Sequence, residues 1–265
     1  MIRQPNRYAQ LIEHIFDSHY TAGTTEVVFE REEIQAAAQA LGIVIPKNLG
    51  DLIYSFRYRT TLPSSVQAKA PPGHQWVIRS AGRSRYRFVA TTAVTTITPD
   101  AMLSETKVPD ATPGVIAIYA LSDEQALLAW LRYNRLIDIF TGVACYSLQN
   151  HLRTQVRGVQ VETDEIYVGV DRRGMHYVFP VQAKGGNDRL SVVQIEQDLA
   201  MCAAKFPKLG CRPIAAQFMA DHLIALFEFE ESEAGVRKLG EKHYRLVSPE
   251  ELTPADLEVY SRRTD

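Results

Sequence analysis

Long apolar runs are missing from this chain: no stretch of about 18 apolar residues occurs, so no transmembrane helix is expected. Cysteine is scarce, with three in 265 residues. Cys145, Cys202 and Cys211 are scattered, odd in number and without metal-ligand spacing, which excludes a disulfide framework and fits a reducing cytoplasm. His176, His222 and His243 have no partners at ligand spacing, so no zinc site is read. Ala81-Gly82-Arg83-Ser84 and Gly185-Gly186 match no phosphate-binding loop, and there is no Gly-x-Ser-x-Gly elbow. The opening residues MIRQPNRYAQ lack the apolar core of a signal peptide. A large excess of one charge is also absent: 29 Lys and Arg stand against 31 Asp and Glu, a net charge of -2. That average by itself suggests no nucleic-acid partner, although an average can hide a local patch.

The patch is there. Between Lys47 and Arg87 lie Lys47, Arg57, Arg59, Lys69, Arg79, Arg83, Arg85 and Arg87, opposed along the sequence only by Asp51. It falls in a segment with helical stripes over Tyr8–Tyr20, Glu30–Leu41 and Lys47–Tyr58, a short β-run at Val27–Phe29, and two β-runs around the turn Ala81–Ser84. Three short helices followed by a basic hairpin is the order of a winged helix, a variant of helix-turn-helix. Residues 1–95 are therefore expected to form a winged-helix-like α+β module that contacts double-stranded DNA through its basic residues.

Residues 96–114, rich in Thr and Pro and without periodicity, read as a linker. A second domain is expected over 115–265. It begins with a helix capped at Ser122 and running to about Phe140. Strands follow at Cys145–Val156, Gln160–Asp171 and His176–Ala183, then a helix at Ser191–Phe206 and strands at Arg212–Met219 and Leu223–Phe229. The tail from Ser232 reads as mixed and charged, with a last short helix at Pro254–Arg262. This order describes an α/β core with a mixed sheet.

The chemistry concentrates in Gln160–Gly186, QVETDEIYVGVDRRGMHYVFPVQAKGG. If Arg172, Arg173 and Gly174 form a three-residue hairpin loop, Asp171 faces Met175 and Asp164 lies opposite Gln182. Strand alternation then sets Glu162, Asp164, Gln182 and Lys184 on one face, while Glu165 turns to the other. Oxygen donors from Asp164, Gln182 and Glu162 suit a hard divalent cation, Mg²⁺ with Mn²⁺ as substitute, and Lys184 on the same face can orient or deprotonate a water. A cross-strand Asp164–Lys184 surface pair is the plain alternative. On the neighbouring strand Arg153 is a candidate phosphate contact. His151 either positions a phosphate or is a satisfied, partly buried histidine. Gln194 and Glu196 on the following helix either reach the site or form an exposed polar face.

Asp164, a hairpin, and then Gln182-Ala183-Lys184 resemble the PD-(D/E)XK nuclease superfamily, with Gln in place of the second acid as in its Mrr-like Q-x-K branch. The resemblance covers about residues 115 to 230. It implies a restriction-endonuclease-like mixed-sheet core flanked by helices, and a Mg²⁺-dependent endodeoxyribonuclease acting as a homodimer, in bacterial restriction or defence. It implies metal-binding roles for Asp164 and Gln182, the family's Lys role for Lys184, and a further acid from the first core helix, for which Glu124 is the candidate. Thr163 stands where the family often has Pro. The alternative is a DNA-binding regulator or structural protein with an inactive nuclease-like core, because Gln182 removes a negative charge.

Overall fold

The computed structural model describes residues 6–45, 49–92, 96–119, 124–185, 188–220, 222–233 and 235–263, without the side chains of Thr96, Glu124 and Gln125. Lys47 and Ser122 lie outside the described residues. The first unit opens with α1 (Arg7–His19), whose Leu11, Ile12, Ile15 and Phe16 recur at helical spacing and are buried. The Asn6 side chain accepts from the Tyr8 N–H and caps its start. There follow β1 (Glu26–Glu30), α2 (Glu33–Leu41), α3 (Leu49–Tyr58), α4 (Ser64–Gln67), and the hairpin of β2 (Gln75–Gly82) and β3 (Arg85–Thr91). β1 returns to pair with β3, giving an antiparallel sheet of order β1-β3-β2. Phe16, Phe29, Trp76 and Phe88 meet ring to ring in the core beneath it.

The rest of the chain builds one large mixed sheet with helices on both faces, and a separate two-stranded ladder. In order come β4 (Thr96–Ile97), β5 (Glu105–Pro109), α5 (Gly114–Tyr119), α6 (Glu124–Tyr133), α7 (Leu136–Thr141), β6 (Ala144–Val156), β7 (Val159–Val170) and β8 (His176–Lys184). Then come β9 (Leu190–Ser191), α8 (Val192–Lys205), β10 (Gly210–Cys211), β11 (Ile214–Phe218), β12 (Leu223–Ser232), β13 (Gly235–Val247) and α9 (Pro254–Ser261). The strand order is β5-β13-β12-β11-β8-β7-β6, with β8 parallel to β11, β5 parallel to β13, and the other pairs antiparallel. Alternation divides the two layers. Ile214, Ala216, Ile224 and Leu226 face the α6–α7 side, while Ala215, Ala225 and Phe227 face α8.

Three expectations change. Residues 96–114 are no simple linker, since β4 pairs with β9 and β5 extends the large sheet beside β13. The charged tail contains the 13-residue strand β13, whose partners β12 and β5 lend it a regularity that its polar first half does not display. The helix expected to reach Phe140 is broken between α6 and α7 by Arg135, a non-glycine residue at φ 50°. Asn134, buried just before the break, donates to the Trp130 carbonyl and accepts from the Ala111 N–H.

The two units are fastened across α8. Tyr54 and Tyr58 of α3 pack in one cluster with Val192, Val193 and Ile195. The Tyr58 hydroxyl donates to Gln197 at 3.0 Å, and Ser191 donates to the Arg57 carbonyl at 3.0 Å.

Candidate active site

The hairpin between β7 and β8 closes in the expected register. The Asp171 N–H donates to the Met175 carbonyl at 3.0 Å, Gly174 takes φ 81°, and Glu165 pairs with Val181. Continued by one residue, that register sets Asp164 opposite Gln182, but the ladder stops at Glu165. In the gap the Asp164 carboxylate takes the Ala183 N–H at 2.8 Å. A continued ladder would have given that donor to a backbone carbonyl.

The other side of β7 is irregular at the same point. Asn150 pairs with Glu165 and Leu152 with Thr163; between them, opposite Asp164, His151 adopts φ 47°. A left-handed backbone on a non-glycine residue is uncommon and clusters at functional sites. His151 is exposed, which sets aside its reading as a partly buried histidine.

The irregularity shifts the strand's phase and corrects the shared face. Val161 packs in the cluster under α8, Thr163 bonds to Asp198 of α8, and Ile166 packs under α8 again. Glu165 and Tyr167 face α6 and α7 instead. Alternation thus changes from odd to even around Asp164. Glu162 leaves the group: its carboxylate meets Arg153 at 3.3 Å and Gln160 at 2.7 Å, and only its backbone carbonyl reaches Gln182, at 3.0 Å.

Asp164 is half-buried, whereas Gln182, Lys184 and Asp198 are 1%, 3% and 0% exposed. The Gln182 amide nitrogen donates to the Glu162 carbonyl and to both Asp198 oxygens, at 3.0 and 3.2 Å. Its oxygen accepts from Gln194 at 3.0 Å. Because the Glu162 carbonyl can only accept, the nitrogen must point there, and the oxygen keeps one lone pair beyond its bond to Gln194. The parallel pairing of β8 with β11 places Gln217 beside Lys184. Asp198 also accepts from Thr163 at 2.5 Å. Burial, opposed by the hydrogen bonds from Thr163 and Gln182 and reinforced by the charge of Asp164, pushes its carboxyl up to about 7.

As a cation seat, the donor set is one half-buried carboxylate, one amide oxygen and a second carboxylate behind them. Among the described residues no three His, Cys, Asp or Glu side chains form a metal-binding group. Mg²⁺ takes one or two carboxylates and keeps several waters, so the residues fit a hydrated, open site of that kind. The Glu124 side chain lies outside the described residues.

No family model, curated protein or solved structure matches this chain.

The basic residues are dispersed more than their spacing suggests. Arg79 makes a two-pronged ion pair with Glu196 of α8, at 2.7 Å through Nε. Arg85 pairs with Glu30 and Arg87 with Glu26, each at 3.2 Å, and Lys69 pairs with Asp17 at 2.5 Å. One opposing acid is the count along the sequence segment; folding brings in acids from β1, α1 and α8. Arg59 is exposed over the Tyr54 ring, Arg83 is exposed at the hairpin tip, and Arg57 stacks on Tyr58 at 4.7 Å. Arg153, exposed on β6, is the partner of Glu162.

Sequence reasoning missed Thr163 and Asp198. Asp198 did leave a mark: with Ile195 and Cys202 it falls at i, i+3 and i+7, an acid inside the apolar stripe of α8. Gln194 is four residues before it on the same face. Glu196, one of the two helix residues read as possible site contacts, is instead the partner of Arg79.

Proposed function

We propose that this chain is a divalent-metal-dependent DNA endonuclease with a restriction-endonuclease-like core and a winged-helix-like N-terminal unit. One observation carries the reading: the β7–β8 ladder ends where Asp164 fills the gap, with Gln182 and Lys184 buried behind it. Gln182, Asp198 and Lys184 are 1%, 0% and 3% exposed and are grouped at a break in a sheet, and buried ionisable groups clustered in this way are a mark of functional sites.

Hydrolysis of a phosphodiester forms a bond from water oxygen to phosphorus, breaks the bond to one ester oxygen, and delivers a proton to that oxygen. Asp164 and the Gln182 oxygen would hold a Mg²⁺ or Mn²⁺ ion, which would supply charge neutralisation and a more acidic water. Asp164 presents its carboxylate to that cation and to the attacking water. Lys184 offsets charge building on the phosphate and holds a proton near the water. Gln182 is positioned for its task by Asp198 and Gln194. Cutting both strands of a duplex takes two such clusters, so a two-fold homodimer belongs to the proposal, and bacterial restriction or defence in the cytoplasm is the setting it fits.

The order α1-β1-α2-α3-α4-β2-β3, with β1 beside β3 and α4 a single short turn, supports the winged-helix reading. Within α3 the exposed residue is Asp51, and the helix is packed against α8. DNA is therefore assigned to the hairpin carrying Arg83 rather than to α3. Among the described residues no helix is long and apolar enough to cross a membrane.

A second reading, a DNA-binding regulator with an inert core, is favoured by the engagement of Gln182 on both ends of its amide. Plasmid nicking separates the two. The nuclease reading expects cleavage with Mg²⁺ or Mn²⁺ that Asp164→Ala and Lys184→Ala each reduce at least a hundredfold. Salt-dependent DNA binding without cleavage under any divalent ion selects the regulator.

A further inference from the structure

One cleft at the junction of the two units is lined by three arginines and, among the described residues, by no acid. Arg57, Arg59, Thr60 and Thr61 come from the end of α3 and the turn after it, and Arg189 and Ser191 from the segment that leads into α8. Elsewhere at the first unit folding supplies carboxylates: Arg79 has Glu196, Arg85 has Glu30 and Arg87 has Glu26. Among the described residues no carboxylate pairs with Arg57, Arg59 or Arg189. A cleft lined by charge of one sign focuses its field on an ion of the other.

The three arginines do not play equal parts. Arg57 turns Nε and Nη2 inward, stacks on Tyr58 and accepts from Ser191 through its carbonyl, so it lends charge rather than a contact. Arg59 and Arg189 are exposed. Arg59 lies over the Tyr54 ring at 5.2 Å, and a guanidinium stacked on its face keeps its N–H edge for a second partner. Thr60 and Thr61, also exposed, add hydroxyl donors. Size sets the ligand. The cleft holds about 60 Å³. A water-sized sphere takes about 10–15 Å³ of such space, which leaves room for about five heavy atoms, a phosphate group, and none for a nucleobase.

The cleft is also next to the hydrolytic cluster. Arg189 follows Lys184 by five residues, and Ser191 caps α8 one turn before Gln194, which donates to Gln182 at 3.0 Å. We propose that the cleft seats a phosphate group of a DNA strand, beside the one that lies on Asp164, with Arg59 and Arg189 as its two charged contacts. The seat adds a contact between the units to the one assigned to the hairpin, and it holds the strand against α8 without reading its sequence. The strand as carrier rests on the nuclease reading; the anion chemistry does not.

The test is binding of the full chain to a short fluorescent duplex, without divalent ion, across a range of salt concentrations. Arg59→Ala combined with Arg189→Ala should lower the salt slope by about 1, the mark of one phosphate, and not by about 2, because both arginines face the same group. The melting temperature should stay within a few degrees of wild type, both side chains being exposed. Arg262→Ala at the end of α9, a helix held against β5 at the far edge of the large sheet, should leave the slope unchanged. An unchanged slope in the folded double variant, a loss of about 2, or an equal loss in Arg262→Ala overturns the proposal. So does inorganic phosphate that binds wild type saturably and the double variant not at all while duplex affinity is the same in both, since the occupant is then a free anion. Cleavage is not read in this titration. An inactive wild type with the expected slopes would sink the nuclease reading and leave the phosphate seat standing; a cleaving wild type with unchanged slopes would do the reverse.

Discussion

Two carboxylates are fully buried on opposite faces of the same sheet, and they are treated differently. Glu165 faces α6, where Arg132 reaches it with two nitrogens at 2.9 and 3.1 Å and Ser147 adds a short hydrogen bond. Asp198 faces the sheet from α8, where its hydrogen bonds come from the neutral Thr163 and Gln182 and the charge of Asp164 acts on it. A buried acid with an arginine is a brace. A buried acid beside a second acid, bonded by neutral donors, is half of a cation site.

The largest effect is expected where the brace is broken. Glu165→Ala strands Arg132 and should lower stability in urea denaturation by about 3 kcal/mol, at the low end for a buried pair because Arg132 is 37% exposed. Asp164→Ala should lower it by about 1 kcal/mol, the scale of one lost hydrogen bond. Equal losses for the two variants would erase the distinction between faces.

A cation should then stabilise one face alone. At a hundred times its dissociation constant, Mg²⁺ adds about 2.7 kcal/mol to wild-type stability by linkage. Asp164→Asn should lose most of that gain, while Glu165→Ala, though weaker overall, should keep it. A gain that persists in Asp164→Asn places the ion elsewhere.

The pH dependence of the metal-free protein gives a smaller effect of definite sign. With its carboxyl raised from 3.8 to about 7 in the folded chain, Asp198 keeps a proton that the unfolded chain has already released. Stability from this group therefore falls as pH rises from about 4 to 7 and is level above that. Asp198→Asn should flatten that decline, by an amount on the order of 1–3 kcal/mol between pH 4 and pH 8. An unchanged slope in chemical denaturation at those two pH values would show that Asp198 is ionised throughout.

The contrast also explains how much could be read in advance. Asp164, Gln182 and Lys184 were legible because a hairpin with Gly174 fixes a register by counting, and counting survives folding. The face was less legible. Side-chain alternation reverses at Asp164, opposite His151 at φ 47°, which removes Glu162 and brings in Thr163. No local pattern announces such a break, because it depends on β6 and β8 at once. Asp198 was visible as an acid on an apolar stripe, but only the fold shows that Gln182 meets it. The basic cluster misled for the opposite reason: proximity in sequence hid the acids of β1 and α8 that neutralise it in space.

The smallest effect concerns those arginines. Arg79, two-pronged on Glu196 and about a quarter exposed, is a strut between the units, whereas Arg83 is exposed at the tip of the β2–β3 hairpin. If the hairpin meets DNA, Arg83→Ala should weaken binding across sequences and reduce the salt slope by about 1, the mark of one lost phosphate contact. Arg79→Ala should leave that slope alone and cost about 0.5–1 kcal/mol of stability, as partly exposed ion pairs do. Glu196→Gln completes the comparison: a strut freed from its acid becomes available to phosphate, so DNA affinity should rise slightly as stability falls. Were Arg79→Ala to change the salt slope as much as Arg83→Ala, the ion pair with Glu196 would have to open on DNA, and the packing of the two units across α8 would change with it.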